Sequence, residues 1–160
     1  MIKLEKDGYV FSVDKEKTVK YYKTHSLCSC DGCKNFRAQI GGMFPELERF
    51  LAEFGVDIRR PDEAVWFENA DDETVKYYIY YTVCGNIDRA VEDKLAFGDL
   101  HVVFSRSGSP YTDIPCEQTG PYFIIDVFDL TLPWVLDTPF PAKPRKKSLF
   151  SRMRDRFGRK

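Results

Sequence analysis

Apolar side chains recur at helical spacing in the second quarter of the chain. At 100° per residue they fall on one face, which is typical of an amphipathic helix packed on a core. The members of this face are Phe36, Ile40, Met43, Phe44, Leu47, Phe50, Leu51 and Phe54. The glycine pair at 41–42 and Pro45 predict a kink or break in this helix, and Gly55 suits its C-terminal cap. Asp31 is a candidate N-terminal cap, which would leave Cys33 in the opening turn.

Alternation of side chains with a period of two predicts strands in the rest of the chain. The longest such run is 75–83, and shorter runs lie at 65–67, 100–105 and 122–129. The first 22 residues are predicted to form a hairpin, in which strands 9–13 and 18–22 flank a charged turn. Segment 85–98 fits either one helical face or a long loop. Strands on both sides of one principal kinked helix predict an α+β fold with a mainly antiparallel sheet.

The length and composition of the chain predict a single globular domain. At 160 residues and 43% hydrophobic, the chain can bury one sizeable core. Pro139, Pro141 and Pro144 predict a stiff, extended linker. We therefore expect a globular domain over 1–138, a linker over 139–147 and a basic amphipathic tail over 148–160.

The net charge of −1 hides a separation of charge along the chain. Residues 143–160 carry nine Lys or Arg against one Asp, whereas the preceding part is acidic. Ser148 and Gly158 suit the two caps of a helix. Its apolar arc and the arginines beside it are Leu149, Phe150, Met153 and Phe157 with Arg152, Arg154 and Arg156. This is the layout of a helix on an anionic membrane surface; a solvated tail and a tail docked on the acidic domain are the alternatives. The acidic domain disfavours nucleic acid as a partner.

The sequence also predicts a cytoplasmic location. Charge begins at the third residue, so no signal peptide is expected, and no apolar run approaches the ~20 residues of a membrane span. Five cysteines, an odd number, fit reduced thiols better than a disulfide framework. The tail would add a peripheral contact at the inner membrane surface.

Reactive chemistry is concentrated between His25 and Cys33, where three of the five cysteines and one of the two histidines lie. Cys30 and Cys33 supply the Cys-x-x-Cys turn of many zinc sites, Cys28 or His25 could complete the set locally, and Cys84 is a candidate remote ligand. A Cys-x-x-Cys at a helix N-terminus is also found in redox pairs, although the charge of Asp31 opposes thiolate formation. Inert, buried thiols are the third interpretation.

Other candidate sites are weaker. His101 is predicted to be a half-exposed strand residue, and no Ser-His-Asp arrangement is visible. Asp126 and Asp129 are three residues apart on a predicted strand, so we expect them on opposite faces and in solvent. Tyr78 and Tyr80 lie on the face opposite Tyr77, Ile79 and Tyr81. That strand therefore either sits centrally in the sheet or presents an aromatic surface to a ligand or a second copy of the chain.

Several short motifs together resemble a family of small uncharacterised bacterial proteins, mostly from Firmicutes. They are the Cys-x-x-Cys-x-Asn-Phe loop of 30–36, segment 44–57, Pro61-Asp62-Glu63 and segment 81–85. The resemblance covers roughly residues 20 to 90 and implies a bacterial, cytoplasmic, single-domain protein without catalytic residues to transfer. The lack of a visible catalytic constellation and the surplus of aromatic strand residues predict a non-enzymatic module that binds a protein or small molecule. The alternative is a zinc-binding or thiol-redox protein that uses the His25–Cys33 cluster.

Overall fold

The computed structural model describes residues 1–69, 73–106 and 120–140. Three helices lie in this part of the chain: α1 (Lys15–Thr24), α2 (Asp31–Gln39) and α3 (Pro45–Glu53). The strands are β1 (Ile2–Lys6), β2 (Tyr9–Val13), β3 (Glu63–Glu68), β4 (Thr74–Arg89), β5 (Leu95–Phe97), β6 (Leu100–Arg106) and β7 (Tyr122–Pro133). Segment 85–98, which the sequence left open, therefore contains the end of β4, a loop and β5.

The seven strands of the described chain form one antiparallel sheet in the order β1-β2-β4-β7-β6-β5. Strand β3 pairs with the first half of β4, on the same edge that β2 pairs with further along. The predicted α+β fold with a mainly antiparallel sheet is thus confirmed. Strand β4 is central, with β7 along its other edge.

Helix α1 fills the gap that β2 and β3 leave along this edge of β4. The carbonyl of Cys84 accepts a hydrogen bond from the backbone N–H of Asp14 at 2.8 Å, and the N–H of Cys84 donates to Thr18 Oγ1 at 3.1 Å. The Tyr22 hydroxyl donates to the carbonyl of Thr82 at 2.9 Å. A buried strand edge needs such partners because water cannot reach its polar groups. The helix therefore supplies hydrogen bonds that a strand would otherwise make.

The predicted pairing of strands 9–13 and 18–22 is wrong, because residues 18–22 belong to α1. The Asp14 carboxylate accepts a hydrogen bond from the N–H of Lys17 at 3.0 Å and starts the helix. The real hairpin joins β1 to β2 through Asp7 and Gly8, which have φ angles of 44° and 87°. Two positive φ angles favour an Asp-Gly turn, a sequence signal stronger than the β-branched character of 18–22.

The break predicted inside the principal helix is complete, so α2 and α3 are separate helices. Gly42 has a φ of +75°, which a helix cannot continue through, and Pro45 opens α3. Gly55 follows α3 with a φ of +85°, as its predicted capping role requires. Asp31 is not the N-cap of α2; Cys30 holds that position and Asp31 is the first helical residue.

The core lies between the helices and one face of the sheet. Phe11 of β2 is at its centre, with ring centroids 5.2 Å from Phe54 and 5.3 Å from Phe123. Phe36 of α2 packs on Tyr77 of β4 at 5.6 Å. On the opposite face, the first half of β4 is only half-buried, at Lys76, Tyr78 and Tyr80.

In the described part of the chain, no helix is long and apolar enough to cross a bilayer. Phe140 packs on Trp134 with ring centroids 5.7 Å apart, so ordered contacts reach slightly past the predicted domain boundary at 138. The predicted linker from residue 141 onward and the predicted tail over 148–160 lie outside the described residues.

Candidate functional site

Three cysteine thiols come together where the loop between α1 and α2 enters α2. The Sγ atoms of Cys28, Cys30 and Cys33 all lie within 4.8 Å of one another. Cys28 and Cys30 are exposed, whereas Cys33 is 3% exposed in the first turn of α2. Arg37 donates from Nη1 to the carbonyl of Cys28 at 2.8 Å and holds the start of the loop against the helix. The cluster therefore has one fixed, buried thiol and two that face solvent.

A buried amide anchors the helix that carries Cys33. Asn35 donates from Nδ2 to the Tyr77 hydroxyl and to the carbonyl of Pro133, each at 3.0 Å, and accepts from the N–H of Val135 at 2.8 Å. Tyr77 in turn donates to the carbonyl of Gly32 at 3.0 Å. The local loop is thus tied to β4 and to the end of β7. The sequence pattern did not assign Asn35 any such role.

Trp66 of β3 covers the other side of the loop. A Cβ on Gly32 would lie 2.2 Å from the indole Nε1 of Trp66, so only glycine fits there. The same indole group hydrogen-bonds the thiol of Cys30. Close contact of Gly32 with Trp66 therefore brings an N–H donor to the cluster, a contribution that sequence spacing could not reveal.

The environment separates the acidities of Cys30 and Cys33. Burial raises the pKa of Cys30, but the backbone N–H of Cys33 and hydrogen bonds from Cys28, Cys33 and Trp66 outweigh it, and the net pKa is lowered. Burial raises the pKa of Cys33, and its hydrogen bonds to Cys30 and Cys28 raise it further. Asp31, expected to oppose thiolate formation, forms a surface ion pair with Lys34 at 3.1 Å. Cys30 is therefore the favoured thiolate of the cluster.

The other two predicted ligands do not join the cluster. His25 is buried and stacked on Tyr21 at 5.1 Å, and its ring nitrogens have no hydrogen-bond partner among the described residues. Cys84 is buried on β4, five residues beyond Ile79. Ile79 is opposite Ala64, whose carbonyl lies 3.9 Å from the Cys33 sulfur. Five extended residues span about 17 Å, which is too far for a shared ion.

A second polar region lies on the half-buried face of the sheet, where the expectation for Asp126 and Asp129 is wrong. Val127 pairs with Ile79 but Leu130 pairs with Tyr77, so β7 has an extra residue at this point. Asp129 has a φ of +66°, consistent with a β-bulge. The bulge places both carboxylates on the same face, where they line a cleft of about 940 Å³.

The two carboxylates of this cleft have opposite environments. Asp129 accepts from Lys76 Nζ at 2.9 Å and pairs with His101 Nδ1 at 3.0 Å; its pKa is lowered, mainly by the Lys76 hydrogen bond. His101 is half-exposed on β6, as predicted. Asp126 is 2% exposed, and burial raises its pKa to about 6 although Ser105 donates a hydrogen bond to it. Its Oδ1 atom has no hydrogen-bond partner in the part of the chain that the structure describes.

Comparisons with protein family models, curated proteins and solved structures find no match to this chain. The resemblance drawn from the sequence motifs therefore stays a prediction.

Proposed function

We propose that this protein binds a zinc ion through the sulfur atoms of Cys28, Cys30 and Cys33. The observation that carries the proposal is the mutual distance of at most 4.8 Å among three thiols on an anchored loop. Sulfur ligands of tetrahedral zinc lie ~2.3 Å from the ion and therefore about 3.8 Å apart. The exposed loop needs to contract by only about 1 Å to reach that spacing, while Cys33 stays fixed in α2.

The ionisation of the thiols supports the same proposal. Zinc binds thiolates, and Cys30 has a lowered pKa before any ion arrives. Cys33 has a raised pKa and must give up a proton to become a ligand, so affinity should increase with pH. Softer thiolate-seeking ions such as Cu(I) share this ligand preference, and competition between ions tests the assignment.

The proposed site has room for a ligand from outside the cluster. Within the described residues, no fourth Cys, His, Asp or Glu ligand atom joins the three sulfurs. Four-coordinate zinc would then keep one position for water or for a donor group of a partner. A site of this kind agrees with the binding role inferred from the sequence.

Native mass spectrometry of the freshly purified chain, followed by titration with Zn²⁺ and Co²⁺, tests this proposal. We expect one ion per chain and a thiolate-to-cobalt charge-transfer absorption. Changing Cys28, Cys30 or Cys33 singly to Ser should weaken affinity by at least about 100-fold, more than loss of an outer-shell hydrogen bond costs. Cys84→Ser is the matched control, because Cys84 is a buried cysteine outside the cluster. A bare-chain mass after incubation with Zn²⁺, or equal affinity in all variants, would overturn the proposal.

Thiol-disulfide exchange is the second candidate, favoured by the unequal acidities of Cys30 and Cys33. The Cys30 thiolate would attack a disulfide of the substrate and release one of its sulfurs as a thiol. Cys33, once deprotonated, would attack Cys30 and release the second thiol, so the substrate gains two electrons and the protein keeps a disulfide. Incubation with oxidised glutathione tests it: a Cys30–Cys33 disulfide is expected, and failure to form one excludes this candidate while leaving zinc binding open.

A further inference from the structure

The half-buried face of the sheet has the surface chemistry of a small-molecule site. Its cleft of about 940 Å³ is lined by aromatic rings from β4 and β7 and by polar groups from β6 and β7. Tyr78 and Phe128 form adjacent walls, with ring centroids 5.4 Å apart. Tyr80 lies in the next row, directly across from Asp126. Concave, largely apolar surfaces with a few convergent polar groups are typical of ligand sites.

The charge of this cleft is unbalanced at one position. Asp129 is compensated by Lys76 and His101, which both contact its carboxylate. Among the described residues, Asp126 has only the neutral hydroxyl of Ser105 as a donor, and its buried Oδ1 atom has no partner there. Buried acceptors are nearly always satisfied in native proteins, because an unmade hydrogen bond there is costly. This oxygen is therefore open to a donor that the described residues do not supply.

Three observations define the kind of donor. The carboxylate of Asp126 favours a positively charged group, and the faces of neighbouring aromatic rings attract organic cations. In the described residues, Asp126, Asp129 and His101 do not form a group with metal-ligand spacing; only the three cysteines do. The cations Lys76 and His101 are already engaged by Asp129, and Lys94 is the remaining cation in the cleft lining.

We propose that this cleft binds a small organic ammonium ion with an apolar body. The ammonium group donates a hydrogen bond to Asp126 Oδ1, and the body packs on Tyr78, Tyr80 and Phe128. This site is separate from the cysteine cluster and does not depend on the function proposed for it.

Binding of three compounds with the same phenyl body tests the proposal on the full-length protein. They are 2-phenylethylamine, the neutral 2-phenylethanol and the anionic 3-phenylpropionate, titrated at pH 7.5 by calorimetry and by NMR shift changes. The amine should bind at least about tenfold more tightly than either analogue, which is the effect of one hydrogen bond to a charged group. Equal affinity for the alcohol, tighter binding of the carboxylate, or no binding of the amine at about 10 mM, the weak end of small-ligand affinities, would overturn the proposal.

Two variants that each remove one negative charge from the cleft show which carboxylate contacts the amine. Asp126→Asn should reduce amine affinity by about tenfold, whereas Asp129→Asn should change it by less than about threefold because Asp129 is already paired. Circular dichroism checks that both variants are folded. Equal losses in the two variants would show general charge attraction rather than contact with Asp126. Cys30→Ser should bind the amine like the wild type, which keeps this result independent of the zinc proposal.

Discussion

The cysteine cluster and the aromatic cleft are assembled over very different distances along the chain. The cluster takes its three thiols from Cys28 to Cys33, within one loop and one helical turn. The cleft takes its lining from β4, β6 and β7, and its two carboxylates share a face only because β7 contains a bulge. A local motif is visible in a sequence. A site built across strands depends on register, and one extra residue changes which side chains it contains.

The two sites differ less when the residues that hold each site in place are included. The loop of the cluster is held by Asn35, which bonds the chain about 100 positions later, at Pro133 and Val135. The cysteine cluster, although local in sequence, therefore also depends on the folded sheet. Substitutions in the supports and in the sites themselves show how far each site depends on its long-range contacts.

Removal of the Asn35 amide should have the largest effect. Asn35→Ala deletes one buried and two partly buried hydrogen bonds and leaves the N–H of Val135 without its acceptor. At about 0.5 to 1.5 kcal/mol for each of the three hydrogen bonds lost, we expect a loss of about 2 to 4 kcal/mol in the free energy of unfolding, measured in urea. Gln39→Ala is the control, because Gln39 bonds the same Pro133 carbonyl from an exposed position. A loss below 1 kcal/mol, or one no larger than that of the control, would mean that the cluster does not depend on the end of β7.

The buried carboxylate of the cleft should give a pH-dependent effect of nearly the same size. Asp126 has a pKa of about 6 in the fold, against 3.8 as its ordinary value, so the folded state binds the proton more strongly than the unfolded state. The wild type should therefore lose stability as pH rises from about 4 to about 6, by up to about 3 kcal/mol, relative to Asp126→Asn. Urea unfolding of both proteins at several pH values measures this difference.

For Asp129→Asn we expect the opposite pH dependence of the free energy of unfolding relative to the wild type. The pKa of Asp129 is lowered, chiefly by Lys76, so its stabilising contribution is present at neutral pH and disappears as the solution becomes acidic. The two variants should therefore diverge from the wild type in opposite directions. Parallel curves would show that burial does not distinguish the two carboxylates.

A methyl group on Gly32 should disturb the cluster through Trp66. Gly32→Ala places Cβ 2.2 Å from the indole nitrogen, so the ring must shift. Overpacking of this kind costs about 1 to 3 kcal/mol, partly offset by the better helix propensity of Ala, and a net loss of about 1 to 2 kcal/mol is expected in urea unfolding. Cys30 should also become less reactive as Trp66 moves away. Gly98→Ala, which meets no atom within 4 Å but has a φ of +62°, should cost stability without changing Cys30.

Fold class was readable from the sequence because alternation and helical spacing report burial directly. The long strand β4, the break before Pro45 and the cap at Gly55 follow from local chemistry. Residues 18–22 were misassigned because their aromatic and β-branched character favours a strand, while packing along the edge of β4 selects a helix. Nothing in the spacing of Asp126 and Asp129 signals the bulge between them. The distance of His25 and Cys84 from the cluster likewise depends on tertiary structure alone.

The smallest expected effect concerns the two exposed cysteines of the cluster. Cys28 and Cys30 share a loop and both face solvent, and Cys30 accepts hydrogen bonds from Cys28, Cys33 and Trp66 that lower its pKa. Because the thiolate is the reactive form, Cys30 should react with iodoacetamide faster than Cys28 at pH 7, and the difference should shrink as the solution becomes alkaline. Buried Cys33 should react at least about tenfold more slowly than either. Mass spectrometry of peptides after timed labelling of the metal-free protein measures the three rates, with the urea-unfolded chain as reference. Equal rates in the folded protein would show that the loop is open throughout, and the pre-formed cluster, with the zinc proposal built on it, would then fail.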